Sequence, residues 1–378
     1  MRVVIAFLVI LTASACAPLN NLPWGPYPTY DVPAAVVSVH VDQNGDFYPD
    51  DWHTNTVIGE KNIQRNLSIA QSFAPNADRQ NILNNFRVEA LAKVAKTTEG
   101  KRRVFVLIHG FNAEVGPADA GYAVLKQTIA LVPTDAVIQL YWDGLTDADT
   151  MINGGRIWFP AVATSQHAGS RALRAILRQL HDQEVIFITH SRGASVVLSA
   201  ISNPNYTTKY ARNIDELGFE PDFLDPPETD FRTQQLTMNA IFLAPAVGNP
   251  DFWNNSCKDT KGCTDYRDFA GLNSIRHTVN LGDPVLGKRF VTWNPINLPC
   301  SFNATTLGYT EECGSWVRAH YNARADWLLP YKLQPMKTHS FVCYAGHPVL
   351  RQMLHDIGVE SRRGLDLNAM PPKTCLND

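Results

Sequence analysis

Apolar residues in this chain concentrate in short, strand-length runs separated by longer amphipathic stretches, and the two kinds alternate. The runs are Ala35 to Val41, Arg103 to Ile108, Ala136 to Trp142, Val185 to Ile188, Leu236 to Leu243 and Ser274 to Leu281. Arg103 to Ile108 is a short continuous apolar run, the pattern of a strand buried on both faces, and the other runs read as further strands. Residues 78–96 place Ile82, Leu83, Phe86, Val88, Leu91 and Val94 at helical spacing. Ala118 to Leu131, Ala161 to Leu180, Gly193 to Ile201 and Pro348 to Leu354 read as further helices. The alternation predicts an α/β domain with a mostly parallel, doubly wound sheet and helices on both faces. Two stretches interrupt it. Residues 204–235 are polar, with three prolines between Pro221 and Pro227. Residues 287–335 hold Trp293, Phe302, Tyr309, Trp316, Tyr321, Trp327 and Tyr331. Both are predicted to be insertions, the second either a binding wall or an excursion packed onto the domain.

The first residues follow a different rule. Met1-Arg2, then the apolar run Val3 to Leu11, then Thr12-Ala13-Ser14-Ala15-Cys16, give a positive start, a short apolar core and an A-x-A ending. That is the layout of a secretory signal peptide, and it is too short for a stable membrane helix. Ala13-Ser14-Ala15-Cys16 resembles a bacterial lipobox, which implies lipidation of Cys16 after cleavage. Ordinary cleavage after Ala15 is the alternative. Residues 17–34 carry five prolines and read as a tether, leaving 35–378 as one domain. The expectation is an exported lipoprotein facing the periplasm or cell surface, or else a soluble periplasmic or secreted protein.

Cysteine usage agrees with export. Of seven cysteines, removing Cys16 leaves an even set, Cys257, Cys263, Cys300, Cys313, Cys343 and Cys375, as suits disulfides in an oxidising compartment. Sequential pairing, Cys257–Cys263, Cys300–Cys313 and Cys343–Cys375, staples local loops and is the expected connectivity. No C-x-x-C pair exists and the spacings are irregular, so a zinc site is not expected. A net charge of -3 and the lack of a basic stripe give no sign of a nucleic-acid partner.

The candidate chemistry lies where strands end. Val185-Ile186-Phe187-Ile188 runs into Thr189-His190-Ser191-Arg192-Gly193 and then a helix, the strand–turn–helix context of the nucleophile elbow G-x-S-x-G. Ser191 is the candidate nucleophile. Its alternative is a serine capping an ordinary turn. Threonine stands at 189, where the pattern has glycine, and Gly193 keeps the second small position. Upstream, the strand at 103–108 ends in His109-Gly110-Phe111-Asn112. The backbone N–H groups of Phe111 and Arg192 are the candidate oxyanion donors, with His109 and Gly110 supporting. Chain order then asks for an acid and a histidine. Asp283 in Gly282-Asp283-Pro284-Val285 follows a strand, with Asp251 as runner-up and a simple Asp-Pro turn as the alternative. His339 is the candidate base. His347 competes, and His277 and His320 are expected to be structural. The Arg192 side chain is expected to salt-bridge outward, the alternative being a phosphate or carboxylate on a substrate.

From about Arg103 to Leu354 the chain resembles the α/β-hydrolase superfamily, in its lipase- and esterase-like branch. His109-Gly110-Phe111-Asn112, Thr189-His190-Ser191-Arg192-Gly193, Gly282-Asp283-Pro284-Val285 and His339-Ser340 carry the resemblance, and Thr189 departs from it. The resemblance implies the α/β-hydrolase fold, with Ser191, Asp283 and His339 as nucleophile, acid and base. It further implies cleavage of carboxylic esters, through an acyl-enzyme and without a cofactor. The expected partners are a small-molecule or lipid ester and, if Cys16 is lipidated, a membrane. The competing function is a surface-tethered binding or assembly module on a hydrolase scaffold.

Overall fold

The computed structural model describes residues 32–50, 69, 73, 78–111, 115–144, 164–202, 234–252, 267–269, 271–287, 306–321, 326–362 and 375. The signal segment, Cys16, most of the tether, residues 204–233, and Cys257, Cys263 and Cys300 lie outside them.

The strands are β1 (Ala35–Val41), β2 (Arg103–Ile108), β3 (Asp135–Trp142), β4 (Glu184–His190), β5 (Thr237–Leu243), β6 (Leu272–Val279) and β7 (Leu328–Lys332). They form one sheet in the order β1-β3-β2-β4-β5-β6-β7, and every neighbouring pair is parallel. The helices are α1 (Arg79–Thr98), α2 (Val115–Thr128), α3 (Arg174–Leu177), α4 (Gly193–Ile201), α5 (Asn249–Phe252), α6 (Glu311–His320), α7 (Phe341–Ala345) and α8 (Val349–Asp356). A π-helical stretch, Ala168–Leu173, leads straight into α3.

Both faces of the sheet are covered, as unbroken apolar strands require. On β2, Val104, Val106 and Ile108 point into a core shared with Val94 of α1, Ala172 to Leu177, most of α4, and Cys313 and Val317 of α6. Phe105 and Leu107 point the other way, to Ala118, Tyr122 and Leu125 of α2, Phe341 and Tyr344 of α7, and Leu350, Met353 and Leu354 of α8. The result is a helix–sheet–helix sandwich with β2 and β4 at its centre.

Three expectations change. Val88 is 66% exposed while Phe86 is buried. Two residues advance a helix by about 200°, so only one of the pair can face the sheet. Residues 328–332, placed by sequence inside an insertion, are the edge strand β7, and α6 covers the sheet beside it. The proline in Leu-Leu-Pro-Tyr-Lys is tolerated because, among the described residues, β7 pairs only with β6. The long helix read over 161–180 is shorter, with residues 164–177 helical among those described. Cys343 and Cys375 form a disulfide, Cα–Cα 5.6 Å. Cys313 is also disulfide-bonded, to a partner outside the described residues.

The far end of α4 shows how a buried helix terminus is satisfied. Its last carbonyls lie in the core, where water cannot reach them. The buried Arg174 guanidinium donates to Ala200 O at 2.9 Å, to Ser199 O at 3.3 Å and to Ser202 O. A cation there also opposes the negative end of the helix dipole. Arg174→Met is expected to lower unfolding free energy by about 3 kcal/mol, because it strands several buried carbonyls at once. Urea unfolding is the check: the midpoint falls with little change in slope, and Arg174→Lys recovers part of the loss.

Candidate functional site

The order of the sheet marks the location. From β2 the chain moves to β3 on one side and returns past β2 to β4 on the other. In open parallel sheets, a crevice forms at such a reversal beyond the carboxyl ends of the strands. His109-Gly110-Phe111 follows β2 there, and Ser191 follows β4.

Ser191 occupies a strained corner. Its φ is +52°, left-handed backbone that a serine adopts only under constraint. Three backbone bonds supply the constraint. Ser191 N–H donates to Leu243 O at 2.9 Å, while Ser191 O accepts from Ala246 N at 3.2 Å and Ala194 N at 3.3 Å. The turn holds strand and helix so close that a Cβ at Gly193 would stand 2.6 Å from His109 O. A Cβ at Gly110 would stand 2.7 Å from Ser191 Cβ. Thr189 is accommodated because it still belongs to β4, pairs with Ile108 and Phe242, and keeps a negative φ. No glycine is needed at that position, although the Thr189 hydroxyl is buried without a hydrogen-bond partner.

The three candidate side chains meet. His339 Nε2 lies 2.9 Å from Ser191 Oγ, and His339 Nδ1 lies 2.7 Å from Asp283 Oδ2. Asp283 is fully buried, and its Oδ1 accepts from Val285 N at 2.9 Å and Leu286 N at 3.0 Å. Its Oδ2 also accepts from the Tyr344 hydroxyl at 2.7 Å. Asn280 ties the acid loop to the histidine loop. Its Oδ1 accepts from Gly282 N and Met336 N, and its Nδ2 donates to Met336 O and to the Tyr344 oxygen.

His109 and His190 support this arrangement as neutral rings. Trp142 N–H donates to His109 Nε2 at 3.2 Å, which leaves His109 Nδ1 to donate to Gly110 O at 2.8 Å. Burial lowers the pKa of His109 to about 4. The His190 ring stacks on Phe341, 4.9 Å between centroids, and lies 4.8 Å from the His339 ring. It is hydrogen-bonded to the His339 backbone, and burial first, then the charge of His339, lowers its pKa well below the usual value.

Arg192 corrects the sequence reading. Its side chain does not point outward. It is fully buried and paired bidentately with Asp251, Nη1 to Oδ2 at 2.9 Å and Nη2 to Oδ1 at 2.8 Å. Ser165, Ser195 and Ala246 O also accept from it. Asp251, the runner-up acid, is thereby committed to Arg192. His347 caps α8, its Nδ1 accepting from Val349 N at 3.2 Å, and His277 is buried in β6. The His320 side chain lies outside the described residues. Sequence reasoning overlooked Asn280, Tyr344, Ser165 and Ser195. Tyr344 alone left a trace, five residues beyond His339 on the same short segment. Among the described residues no group of three or more His, Cys, Asp or Glu is placed to hold a metal.

No family model matches the chain, and no curated protein matches it. Among solved structures it is similar to an uncharacterized protein from Pseudomonas aeruginosa. The two share 11% identity over 71% of this chain and 45% of that one, with a TM-score of 0.27. The chain thus spans less than half the length of that protein.

The buried histidines generate a pH prediction. Burial lowers His109 to about 4 and His277 to about 3. The unfolded chain binds protons near the ordinary value of about 6.5, so below it the unfolded state takes up protons that the folded state refuses. Their contribution is full above about pH 6.5 and is lost as pH falls towards 4 and 3. Melting temperature followed from pH 8 to 5 should fall on acidification, and His277→Gln should flatten that slope.

Proposed function

We propose that the chain is a serine hydrolase of carboxylic esters, built on an α/β-hydrolase-type fold. The observation that carries the reading is the continuous chain Ser191 Oγ, His339, Asp283, with bonds of 2.9 and 2.7 Å. Its serine sits at a left-handed strand-to-helix turn. The parallel sheet supports the fold assignment, with nucleophile, acid and base following β4, β6 and β7 in that chain order.

In this reading, His339 Nε2 takes the hydroxyl proton of Ser191 as Oγ attacks the ester carbonyl. Asp283 holds the Nδ1–H tautomer and stabilises the imidazolium. The N–H groups of Phe111 and Arg192 receive the oxyanion, and a donor in such a place contributes about 3 kcal/mol. Collapse expels the alcohol, which takes its proton from His339. Water, deprotonated by His339, then attacks the acyl-enzyme and releases the acid and Ser191. No step calls on a cofactor. Acyl esters, including lipids, are the substrate class. Export with a lipid anchor at Cys16 belongs to the same proposal, and the Cys343–Cys375 disulfide is consistent with an oxidising compartment.

A fluorophosphonate probe followed by peptide mass spectrometry tests the reading. Labelling is expected at Ser191 alone, to vanish in Ser191→Ala, and to fall at least about 100-fold in Gly110→Ala, whose methyl displaces the serine. Folded wild-type protein that takes up no label would instead favour a binding module. Turnover is then sought with esters of increasing acyl length.

A further inference from the structure

We propose that Tyr344 is a positioning residue whose phenol sets how strongly Asp283 holds the proton on His339. The inference rests on the hydrolase reading above. Asp283 Oδ1 is occupied by two backbone N–H groups, so its interaction with His339 is governed at Oδ2. That oxygen is shared, 2.7 Å from His339 Nδ1 and 2.7 Å from the Tyr344 hydroxyl.

The direction of the phenol proton is fixed. Asn280 Oδ1 accepts two backbone N–H groups, which sets the orientation of the amide. Its Nδ2 therefore faces the Tyr344 oxygen at 2.7 Å and donates to it. The only hydroxyl proton then has one acceptor left, Asp283 Oδ2. Burial and the charge of Asp283 raise the phenol pKa well above 10, so the proton stays in place throughout the neutral range.

A donor on Oδ2 draws charge from the oxygen that faces the imidazole. Without it the carboxylate holds the imidazolium more firmly, and the serine meets a free base only at higher pH. Among the described residues, the other titratable groups facing His339 are His190 from the end of β4 and, behind it, His109 from the end of β2. Burial keeps both neutral, so neither supplies the acid limb.

The test is the rate of fluorophosphonate labelling at Ser191 in the full chain, from pH 5 to 9. Tyr344→Phe should move the acid limb up by about half a pH unit or more. Well below the midpoint of the limb its rate, relative to its own plateau, should drop about threefold. Substitution of 3-fluorotyrosine at 344, a stronger donor, should move the limb the other way, and it decides the matter if the phenylalanine variant fails to fold. A structural role alone does not give opposite shifts. Limbs that coincide with wild type overturn the proposal while Ser191 labelling keeps the hydrolase reading. Folded wild-type protein without labelling sinks that reading and this inference with it.

Discussion

The buried pair between Arg192 and Asp251 is the interaction on which the site is built. Moving two charges out of water costs several kcal/mol each, and attraction offsets this only where geometry is good and the remaining donors and acceptors are met. Here the guanidinium meets the carboxylate at two points, and Ser165, Ser195, Ala246 O and Gly248 N satisfy the rest. Those partners belong to three segments: the helical residues 164–177, α4, and the loop after β5. The pair therefore locks the elbow from behind. Ala246, whose carbonyl binds Arg192, also donates its N–H to Ser191 O and helps to hold the serine at φ +52°.

On the other side of Ser191 the constraints come from neutral and hydrogen-bonded groups. His339 reaches back from beyond β7 across β6 and β5, with strands about 4.8 Å apart. Nothing local could hold a loop at that reach. Asn280 anchors it at Met336, Asp283 at the Nδ1 edge, and the stacked His190–Phe341 pair at its base. The disulfide at Cys343 ties the C-terminal segment onto the same helix that carries Tyr344. Asp283, His339 and Tyr344 thus share one small, cross-linked unit.

Several features were legible in the order of amino acids alone. The continuous apolar run at β2 marks a sheet buried on both faces, and the order of strands and helices points to parallel pairing. Ser191 was legible because a strand-to-helix turn is local, and Asp283 and His339 because chain order and strand ends restrict the choice. β7 was not legible: a five-residue edge strand with a proline carries too little pattern beside an aromatic-rich neighbourhood. The phase of α1 was misjudged at Val88, because spacing alone does not say which of two near-opposite residues faces the sheet.

The sequence by itself therefore determined the alternation of elements, the covered sheet and the candidates Ser191, Asp283 and His339. These depend on periodicity and on turns a few residues long. Only the tertiary structure decided that Arg192 points inward to Asp251, that Thr189 fits at the end of β4, and that Tyr344 and Asn280 gather around Asp283. Each is a contact between segments separated by dozens of residues, or a matter of backbone angle. Whether a buried charge finds its partner depends on how strands and loops are brought together in space, which one-dimensional spacing does not encode.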